Sequence, residues 1–378
     1  MRKVALLIET DRAYGRGLLK GIARYLHEHE LWNLYVEPGS LKQSVPRLAE
    51  WGCQGIIIRN ETARLQRAVE SLGLPAVVLG YQAEPGQIRL GTFSQQEGRL
   101  AAEYFLDRGF RHFAFCGHSE QYSMEREKGF ERKLGEAGLS VHVYRRPRVK
   151  RDRWWAREQE HVARWISELP QPLAVFACDD ELGRRVIESC LDAELAVPDD
   201  VALLGVDNDE LLCDLCHPTL SSIALGTEKA GYEAAAALDQ MMAGHAPKQD
   251  EIIVEPLAVI TRQSTDVFAM EDREVAQAVA FIRQHASEPI TVDDVLERVP
   301  MARRSLEYRF RRAIGRTPHA EILRVRLERA KTLLATTDRS MPEIAEASGF
   351  ATADYMGYAF RRALGMKPLA YRSSHRGY

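Results

Sequence analysis

One stretch near the carboxyl end repeats itself and limits what this chain can fold into. Residues 306–315 (LEYRFRRAIG) return as residues 356–365 (MGYAFRRALG), with tyrosine, phenylalanine, two arginines, alanine and glycine at matching positions. Each copy has the pattern of a short amphipathic helix that a glycine ends, and each follows another short helix across a tight turn. The repeat therefore predicts two helix-turn-helix units, a pattern typical of proteins that bind duplex DNA.

Charge sets this segment apart from the rest of the chain. Residues 274–378 carry 18 Lys and Arg against 12 Asp and Glu, a net charge of +6. The residues before them carry 33 basic and 42 acidic side chains, a net charge of −9. An acidic body joined to a basic carboxyl-terminal domain indicates that this domain contacts a polyanion.

Composition argues for a globular protein without a membrane segment. The 378 residues, 45% apolar and 28% charged, suffice for two or three domains of ordinary composition. No apolar run approaches the roughly 18 residues of a membrane span, and the five-residue run Val4–Ile8 is too short for a secretory signal. We therefore expect a cytoplasmic protein without membrane contact, which argues against an exported binding protein. The six scattered cysteines predict reduced, partly buried thiols and no metal or cofactor, because Cys213-x-x-Cys216 lacks a second pair.

Residues 4–260 alternate short apolar runs with amphipathic helical stretches. This alternation predicts parallel β-sheets covered by helices on both faces. Since about 265 residues are many for one such sheet, we expect two similar lobes. The apolar runs are Val4–Ile8, Gly55–Ile58, Ala76–Leu79, Phe113–Cys116, Leu173–Ala177 and Val201–Val206. The helical stretches are Gly17–His29, Gln96–Arg108, Met124–Ala137, Asp152–Leu169, Glu181–Ala193 and Lys229–Ala243.

Polar residues follow several of these runs, at the sheet edge where parallel α/β folds bind their ligands. Carboxylates, an arginine and an asparagine suit the vicinal hydroxyls of a sugar or polyol, since they offer paired acceptors or a fork of donors. Any single aspartate there is explained equally well as a helix N-cap, so the cluster rather than one residue supports a sugar site. The candidate ligand residues are Glu9, Tyr14, Arg126, Asp179 and Asp207.

Parts of this α/β region resemble the sugar-binding core of lactose-repressor-type regulators, which is related to periplasmic sugar-binding proteins. The segments that carry the resemblance are residues 87–98, 106–117, 197–208 and 218–223. The resemblance implies a sensor domain at 1–265 with two lobes, a three-strand hinge and a sugar in the cleft. Lobe one is then 1–91 with 224–250, and lobe two is 92–223 with 251–266. It also implies that Arg126 and Asp207 hold sugar hydroxyls, with Asp179 and Glu9 as plausible additions. The amino-terminal helix-turn-helix of that family is missing from this sequence, so we expect the DNA-binding domain at the carboxyl end.

The carboxyl-terminal part predicts an all-helical domain at 274–378. Ser264–Arg273 has the composition of a polar, acidic connector, with the linker itself at 266–273. Thr291–Asp294 has the pattern of a capping box, and Thr317 with Pro318 suits the start of a long helix that joins the two units. The expected helices are 274–285, 302–314, 317–336 and 352–364, with 340–346 opening the second unit.

This domain resembles the DNA-binding domain of AraC-type regulators. The resemblance rests on the pattern of Thr336–Phe350 followed by Tyr355, Phe360, Gly365, Pro368 and Tyr371–Arg372. A lactose-repressor-like sensor joined to this reader resembles the regulators of pentose (xylose) operons, as do the short segments Ala13–Arg16 and Met124–Glu127. The resemblance implies a homodimer on repeated half-sites in duplex DNA, contact with RNA polymerase in an activator, and xylose or a related aldose as effector.

The second helix of each helix-turn-helix unit, here called the reading helix, is expected to lie in the major groove of DNA. Exposed positions early in each reading helix are expected to face base edges. In the first helix they are Arg303, Arg304, Glu307 and Tyr308, and in the second they are Ala353, Asp354, Gly357 and Tyr358. Arginine can bind guanine bidentately and glutamate can accept from cytosine, so the first helix has the greater reading capacity. Arg311 and Arg361 lie later and are expected to contact phosphate or to stay solvated.

The pattern as a whole predicts a two-lobed α/β sensor with an all-α double helix-turn-helix domain, acting as a sugar-responsive transcription factor. The alternative is an α/β sugar-processing enzyme with an appended nucleic-acid domain, because Asp207-Asn-Asp209 has the D-x-D spacing of metal-assisted glycosyl transfer. Neither a Gly-rich phosphate loop nor a G-x-S-x-G motif accompanies that spacing, which favours the regulator. The resemblance favours activation, while the identity of the sugar and the operator sequence stay open.

Overall fold

A computed structural model describes residues 1–36, 48–59, 67, 69–80, 87–145, 155–246, 249–267 and 272–376. Its strands are β1 (Lys3–Leu7), β2 (Asn33–Val36), β3 (Gly55–Arg59), β4 (Ala76–Leu79), β5 (Ile88–Thr92), β6 (His112–Gly117), β7 (Val141–Arg145), β8 (Leu173–Ala177), β9 (Val201–Val206), β10 (Ser221–Leu225), β11 (Glu251–Val254) and β12 (Pro256–Ile260). The helices between them are α1 (Ala13–Glu28), α2 (Leu48–Trp51), α3 (Ser94–Leu106), α4 (Gln121–Gly135), α5 (Trp155–Ser167), α6 (Asp180–Asp192), α7 (Glu210–Leu215) and α8 (Thr227–Met242). The carboxyl-terminal helices are α9 (Arg273–His285), α10 (Val292–Arg298), α11 (Arg303–Ile314), α12 (Pro318–Thr336), α13 (Met341–Ala347), α14 (Ala353–Leu364) and α15 (Pro368–Arg376).

The chain divides into two compact units, each built on one six-stranded sheet. The first unit comprises residues 1–93, 225–256 and 375–378, and the second comprises 94–224 and 257–374. The sheet of the first unit has the order β11-β5-β4-β3-β1-β2, and that of the second has the order β12-β10-β9-β8-β6-β7. The expected α/β architecture and its all-helical partner are therefore confirmed.

Apolar runs form the centres of these sheets, as the sequence predicted. Val4, Ala5 and Leu7 of β1 are fully buried, and β8 and β9 are buried along their whole length. Six strands were not predicted from the sequence, and most of them lie toward the sheet edges, where apolar runs are short or mixed. They are β2, β5, β7, β10, β11 and β12. The assignment of 251–266 to the second lobe was wrong for β11, because Glu251–Val254 pairs with β5 in the first sheet.

Glycines allow the helices α3 and α4 to pack closely against each other. A β-carbon on Gly98 of α3 would lie 2.0 Å from the carbonyl oxygen of Arg126, and one on Gly129 would lie 2.0 Å from that of Gln95. Only glycine tolerates such an approach of two backbones. The contact holds α4, and with it Arg126, firmly against α3.

The carboxyl-terminal helices build two apolar cores. The first core contains Val279, Leu306 and Phe310, and the second contains Ile344, Met356 and Phe360. The long helix α12 contributes Ile322 to the first core and Leu327 to the second. Since α12 contributes to both cores, it is the helix that connects the two helix-turn-helix units.

The local signals that predicted these helices are present in the structure. The capping boxes at Thr291 and Ser340 are both complete, and Thr317 caps α12 through the backbone N–H of Ala320. Gly315 and Gly365 end the two reading helices with φ of 76° and 73°, the left-handed region that glycine adopts without strain.

One expectation for the connector was wrong at its start. Ser264 and Thr265 are fully buried, because the Ser264 hydroxyl donates to the Leu203 carbonyl at 2.6 Å and Thr265 bonds Ser221. They belong to the packed second unit, and residues 268–271 of the predicted linker lie outside the described residues. Within the described ranges, no helix is long and apolar enough to cross a membrane. All six cysteines are buried as thiols.

Candidate functional site

The carboxyl edge of the second sheet brings Arg126, Asp207 and the backbone of Cys178 together. Arg126 donates from Nε to Glu97 and from Nη1 to the Cys178 carbonyl oxygen, and its Nη2 lies 3.5 Å from Oδ1 of Asp207. The arginine side chain is 3% exposed and that of Glu97 is fully buried. Burial alone lowers the pKa of Arg126, but the charges of Glu97 and Asp207 outweigh it and raise that pKa. The guanidinium is therefore a fixed cation with a defined orientation.

Asp207 reaches this position through an unusual backbone. Its φ is 101° and that of Asn208 is 48°, so two consecutive non-glycine residues occupy the left-handed region. The Asp207 N–H donates to the Ile223 carbonyl at 3.0 Å, and the Asn208 N–H donates to the Ser222 hydroxyl at 3.0 Å. Strain of this kind is held in place only by surrounding structure and clusters at functional sites. It turns the Asp207 carboxylate toward Arg126.

Asp179 is the helix N-cap that the sequence allowed, and its second oxygen contacts two further polar side chains. As the N-cap of α6 it accepts from the Leu182 N–H through Oδ1 at 2.8 Å. Its second oxygen, Oδ2, accepts from the Tyr122 hydroxyl at 3.2 Å and lies 3.6 Å from Nε2 of His118. One carboxylate thus ends β8, starts α6 and anchors a small polar group of Tyr122 and His118.

Asp180 stabilises the turn that carries Asp207 through two hydrogen bonds. It accepts from the Ser222 hydroxyl at 2.5 Å and from the Asp209 N–H at 2.7 Å, and it is 2% exposed. Burial and the neighbouring charge of Asp207 raise the pKa of Asp180 well above its usual range. This residue shapes the loop that carries Asp207.

The D-x-D spacing of Asp207 and Asp209 does not form a cluster of metal donors. Within the part of the chain that the structure describes, the three donors close enough to share an ion are His118, Cys178 and Asp179, with ligand atoms within 4.8 Å of one another. Burial raises the pKa of the Cys178 thiol well above its usual range, so the thiol is held in its neutral form, which is a poor metal ligand.

In the first unit, Glu9 lies between β1 and α1, and Tyr14 lies in the first turn of α1. The Glu9 carboxylate follows β1, is 5% exposed and accepts from Nη1 of Arg59 at 2.7 Å. A β-carbon on Gly15 would lie 1.8 Å from the Glu9 carbonyl oxygen, so the helix begins directly against this residue. Tyr14 is half-buried one residue earlier.

Sequence reasoning missed several members of these groups. Arg59 directly follows the predicted strand Gly55–Ile58, so the rule that found Glu9 also applies to it. Tyr122 and Glu97 had no such signal, because they lie on helices and reach their partners only through tertiary packing.

The first reading helix, α11, presents the expected side chains to solvent. Arg303, Arg304 and Glu307 are exposed, and the side chain of Tyr308 is 68% exposed. Arg303 lies 3.1 Å from Asp293 and 3.4 Å from Glu307, so two of the candidates neutralise each other. Arg311 is also exposed, one turn further along.

Arg309 lies outside the apolar core of α11, but its guanidinium is engaged in ion pairs. Its Nε donates to Asp272 at 2.7 Å, and its Nη1 lies 2.5 Å from Glu274. These pairs raise the pKa of Arg309. The residue ties α11 to the start of α9, so it is not available as a DNA contact.

The second reading helix, α14, is poorer in polar groups. Asp354, Tyr358 and Arg361 are exposed, with Tyr358 at 61%, whereas Ala353 and Gly357 are partly covered. Tyr355 is 44% exposed and was not among the predicted contacts, although its position next to Asp354 could have suggested it.

Comparison with known proteins agrees with this two-part organisation. The model of a helix-turn-helix domain matches residues 295–374, that of a periplasmic binding protein-like domain matches 102–265, and that of the XylR N-terminal domain matches 3–86. The chain is a helix-turn-helix transcription regulator with a periplasmic binding protein-like sensor. This confirms the prediction of a DNA-binding regulator and its resemblance to regulators of xylose operons.

The regulator is similar to two curated proteins over almost its whole length. It is 29% identical to the xylose operon regulatory protein of Escherichia coli (strain K12), over 98% of this chain and 96% of that protein. It is 28% identical to the xylose operon regulatory protein of Haemophilus influenzae, over 98% of each. A solved structure of a xylose-binding transcription activator is 28% identical, covers 98% of both chains and superposes with a TM-score of 0.62.

Proposed function

We propose that this regulator senses xylose or a related aldose and activates pentose catabolism genes. The full-length similarity to xylose operon regulatory proteins supports the sugar and the type of gene. The similarity to a solved xylose-binding transcription activator supports activation. A DNA-binding regulator with this composition acts in the cytoplasm. An enzymatic role is not proposed, because the similar proteins are transcription regulators.

The observation that carries the effector proposal is the fixed guanidinium of Arg126 beside Asp207. A sugar offers vicinal hydroxyls that donate and accept, and this pair offers a fork of N–H donors next to a carboxylate acceptor. Asp179, with Tyr122 and His118, adds a second polar group on the same sheet edge. Glu9 and Tyr14 of the first unit are proposed as further ligand contacts, with Arg59 orienting Glu9.

The sensor is proposed to span residues 1–265, followed by a linker at 266–273 and the DNA-binding domain at 274–378. The two apolar cores built by α9–α15 support a helical domain with its own core, within the second unit. The chain passes between the two sheet-bearing units near residues 93, 224 and 256, which supports a sensor with two lobes and three crossing strands.

For the DNA-binding domain we propose that α11 and α14 enter successive major grooves of one duplex. Arg304 and Glu307 are proposed to read bases, while Arg311 and Arg361 contact phosphate. Tyr308, Tyr358 and Asp354 are exposed at the corresponding turns and are proposed as additional contacts. A homodimer would place two such domains on repeated half-sites, and an activator would then present a surface to RNA polymerase.

Sugar can change the activity of such a protein only through its differential affinity for two conformations. We propose that the sugar-bound sensor favours the arrangement in which the paired reading domains match their half-sites. A sugar that bound both arrangements equally well would have no regulatory effect, however tight its binding.

The decisive experiment is calorimetric titration of the purified protein with a panel of aldoses and polyols. We expect one aldose, with xylose first in the panel, to bind with a 1:1 stoichiometry per chain. Asp207→Asn should weaken that binding by roughly 10-fold to 100-fold, because a charge-assisted contact to the hydroxyls is lost.

Asp192→Asn is the matched control, since Asp192 is an exposed aspartate at the end of α6. The control should bind sugar like the wild type. If no sugar binds, or if Asp207→Asn retains full affinity, the proposed effector site is wrong.

A further inference from the structure

Arg108 of the sensor is a buried cation that faces the DNA-binding domain. Its side chain is 6% exposed and its guanidinium carbon lies 3.3 Å from the centroid of the Tyr104 ring. Its N–H groups donate to the Thr265 carbonyl at 3.3 Å, to the Tyr104 carbonyl at 3.3 Å and to the Thr261 hydroxyl at 3.4 Å. These contacts are long and their acceptors are neutral. Among the described residues, no carboxylate is in ion-pair contact with Arg108, and Asp107 and Glu321 act on its charge only from beyond that distance.

Two arginines of the DNA-binding domain line the same cavity as Arg108. Arg283 of α9 and Arg324 of α12 line, together with Arg108, a cavity of about 920 Å³. Burial and the charge of Arg108 lower the pKa of Arg283 to about 9. Burial, together with the charge of Arg324, likewise lowers the pKa of Arg108. Three guanidiniums from two domains therefore repel one another around this cavity.

The carboxylates at the cavity neutralise only part of this charge. Glu321, which is fully buried, contacts Arg283 at 3.3 Å, Arg324 at 2.8 Å and Arg316 at 2.5 Å. Asp107 lies 3.3 Å from Arg324 and 3.6 Å from Arg316. Among the described residues, these two carboxylates thus lie near four guanidiniums, of which Arg108, Arg283 and Arg324 line the cavity and Arg316 does not. Nη2 of Arg316 is buried without a hydrogen-bond acceptor.

The other acids of the cavity wall do not supply the missing charge. Asp214 pairs with Arg262, Glu328 with Lys331, and Glu103 with Arg99 and Lys133. Asp266 is exposed at the wall beside Thr265. Each of these three acids therefore has its own cation, and Asp266 is the one further carboxylate of the wall beside Arg108, Arg283 and Arg324.

We propose that this cavity binds a phosphate group, either as free phosphate or as a small phosphate ester. Guanidinium forks match the oxygens of phosphate in geometry and charge, and the volume is within the range of small-molecule sites. Arg108 belongs to the sensor, whereas Arg283 and Arg324 belong to the DNA-binding domain. The bound anion therefore bridges the two and stabilises their contact.

Thermal unfolding and calorimetry of the full-length protein test this site. Potassium phosphate replaces potassium chloride at constant ionic strength, and sn-glycerol 3-phosphate is compared with inorganic phosphate to distinguish an ester from the free ion. We expect saturable binding of one phosphate group per chain and a rise in Tm of about 5 °C at a 100-fold excess over Kd.

Arg108→Gln and Arg283→Gln should each reduce the phosphate affinity at least 10-fold. Arg99→Gln is the control, because Arg99 is an exposed arginine of α3 that pairs with Glu103. If Arg108→Gln does not fold, Arg283→Gln decides the test. The proposal fails if the wild type shows no saturable binding of either probe. It also fails if the folded variants bind phosphate like the wild type, since the anion then sits elsewhere, as on the exposed arginines of α11 and α14.

Discussion

The carboxylate of Asp107 lies 3.3 Å from Nη1 of Arg324 and joins the sensor to the DNA-binding domain. Asp107 directly follows α3 of the sensor, and Arg324 lies in the first half of α12. Because α12 packs into both apolar cores of the DNA-binding domain, the pair connects the end of α3 to the helix that both helix-turn-helix units share. We therefore predict that the pair contributes to coupling between the sensor and the DNA-binding domain.

Asp107→Asn tests this coupling. The side chain of Asp107 is 38% exposed, so solvent screens the pair and its loss should cost stability only modestly, by about 1 kcal/mol or less. We expect the sugar affinity to stay unchanged, while the effect of sugar on operator binding falls several-fold. Operator binding with and without sugar, measured by fluorescence anisotropy, gives both quantities.

Glu103→Gln is the matched control for this prediction. Glu103 lies on α3 one turn earlier and pairs with Arg99 and Lys133, both within the sensor. If both variants reduce the sugar effect equally, the result reflects a general weakening of α3. If neither does, coupling does not pass through Asp107.

Glu321 should make the stability of the DNA-binding domain sensitive to acid. Burial alone raises the pKa of Glu321, but Arg324, Arg283 and Arg316 outweigh it and lower that pKa to about 2. A depressed folded-state pKa contributes stability above the unfolded-state pKa, and this stability is lost as pH falls toward 2. We therefore expect the free energy of unfolding to decrease between about pH 4.5 and pH 2, by up to about 3 kcal/mol from this group.

Glu321→Gln should remove that part of the pH dependence and destabilise the protein near neutral pH. Urea unfolding of both proteins at several pH values, with the Trp and Tyr signals followed together, provides the measurement. Equal slopes of unfolding free energy against pH in the two proteins would show that Glu321 does not titrate in this way.

Glu97 should act as a positioning residue for sugar binding. It is fully buried on α3 and accepts from Nε of Arg126, so it fixes the plane of the guanidinium without being a predicted sugar contact. Glu97→Gln weakens this charge-assisted bond, and we expect the sugar Kd to rise roughly 10-fold. Calorimetric titration gives Kd, and Glu136→Gln, an exposed acid after α4 that pairs with Lys133, is the control. An unchanged Kd in a folded Glu97→Gln variant would contradict the positioning role.

Local signals explain why the helical domain could be predicted from sequence almost to the residue. Helix caps and terminating glycines depend on neighbours only three or four positions away. The roles of Thr291, Gly315 and Gly365 can therefore be predicted from the sequence without knowing the fold. Buried parallel strands such as β8 and β9 were also readable, since they are continuous apolar runs.

Long-range contacts explain what the sequence did not predict. Glu97 and Arg126 are 29 positions apart and meet only because Gly98 and Gly129 allow α3 and α4 to pack closely. The burial of Ser264 depends on a carbonyl 61 positions away in β9. The ion pairs of Arg309 with Asp272 and Glu274 likewise require the fold of α9 against α11.

Arg304 and Arg311 should separate base reading from phosphate contact on the same helix. Arg304 is exposed in the first turn of α11, where side chains of a reading helix reach base edges. Arg304→Ala should therefore weaken binding to the preferred operator by about 1–3 kcal/mol and relax the base preference at one position. Arg311→Ala should weaken binding to all duplexes similarly and reduce the slope of log K against log salt by about 1. Binding to the operator and to single-base variants at several salt concentrations distinguishes the two. A uniform loss for Arg304→Ala would assign Arg304 to phosphate, and a sequence-dependent loss for Arg311→Ala would move base reading toward the end of the helix.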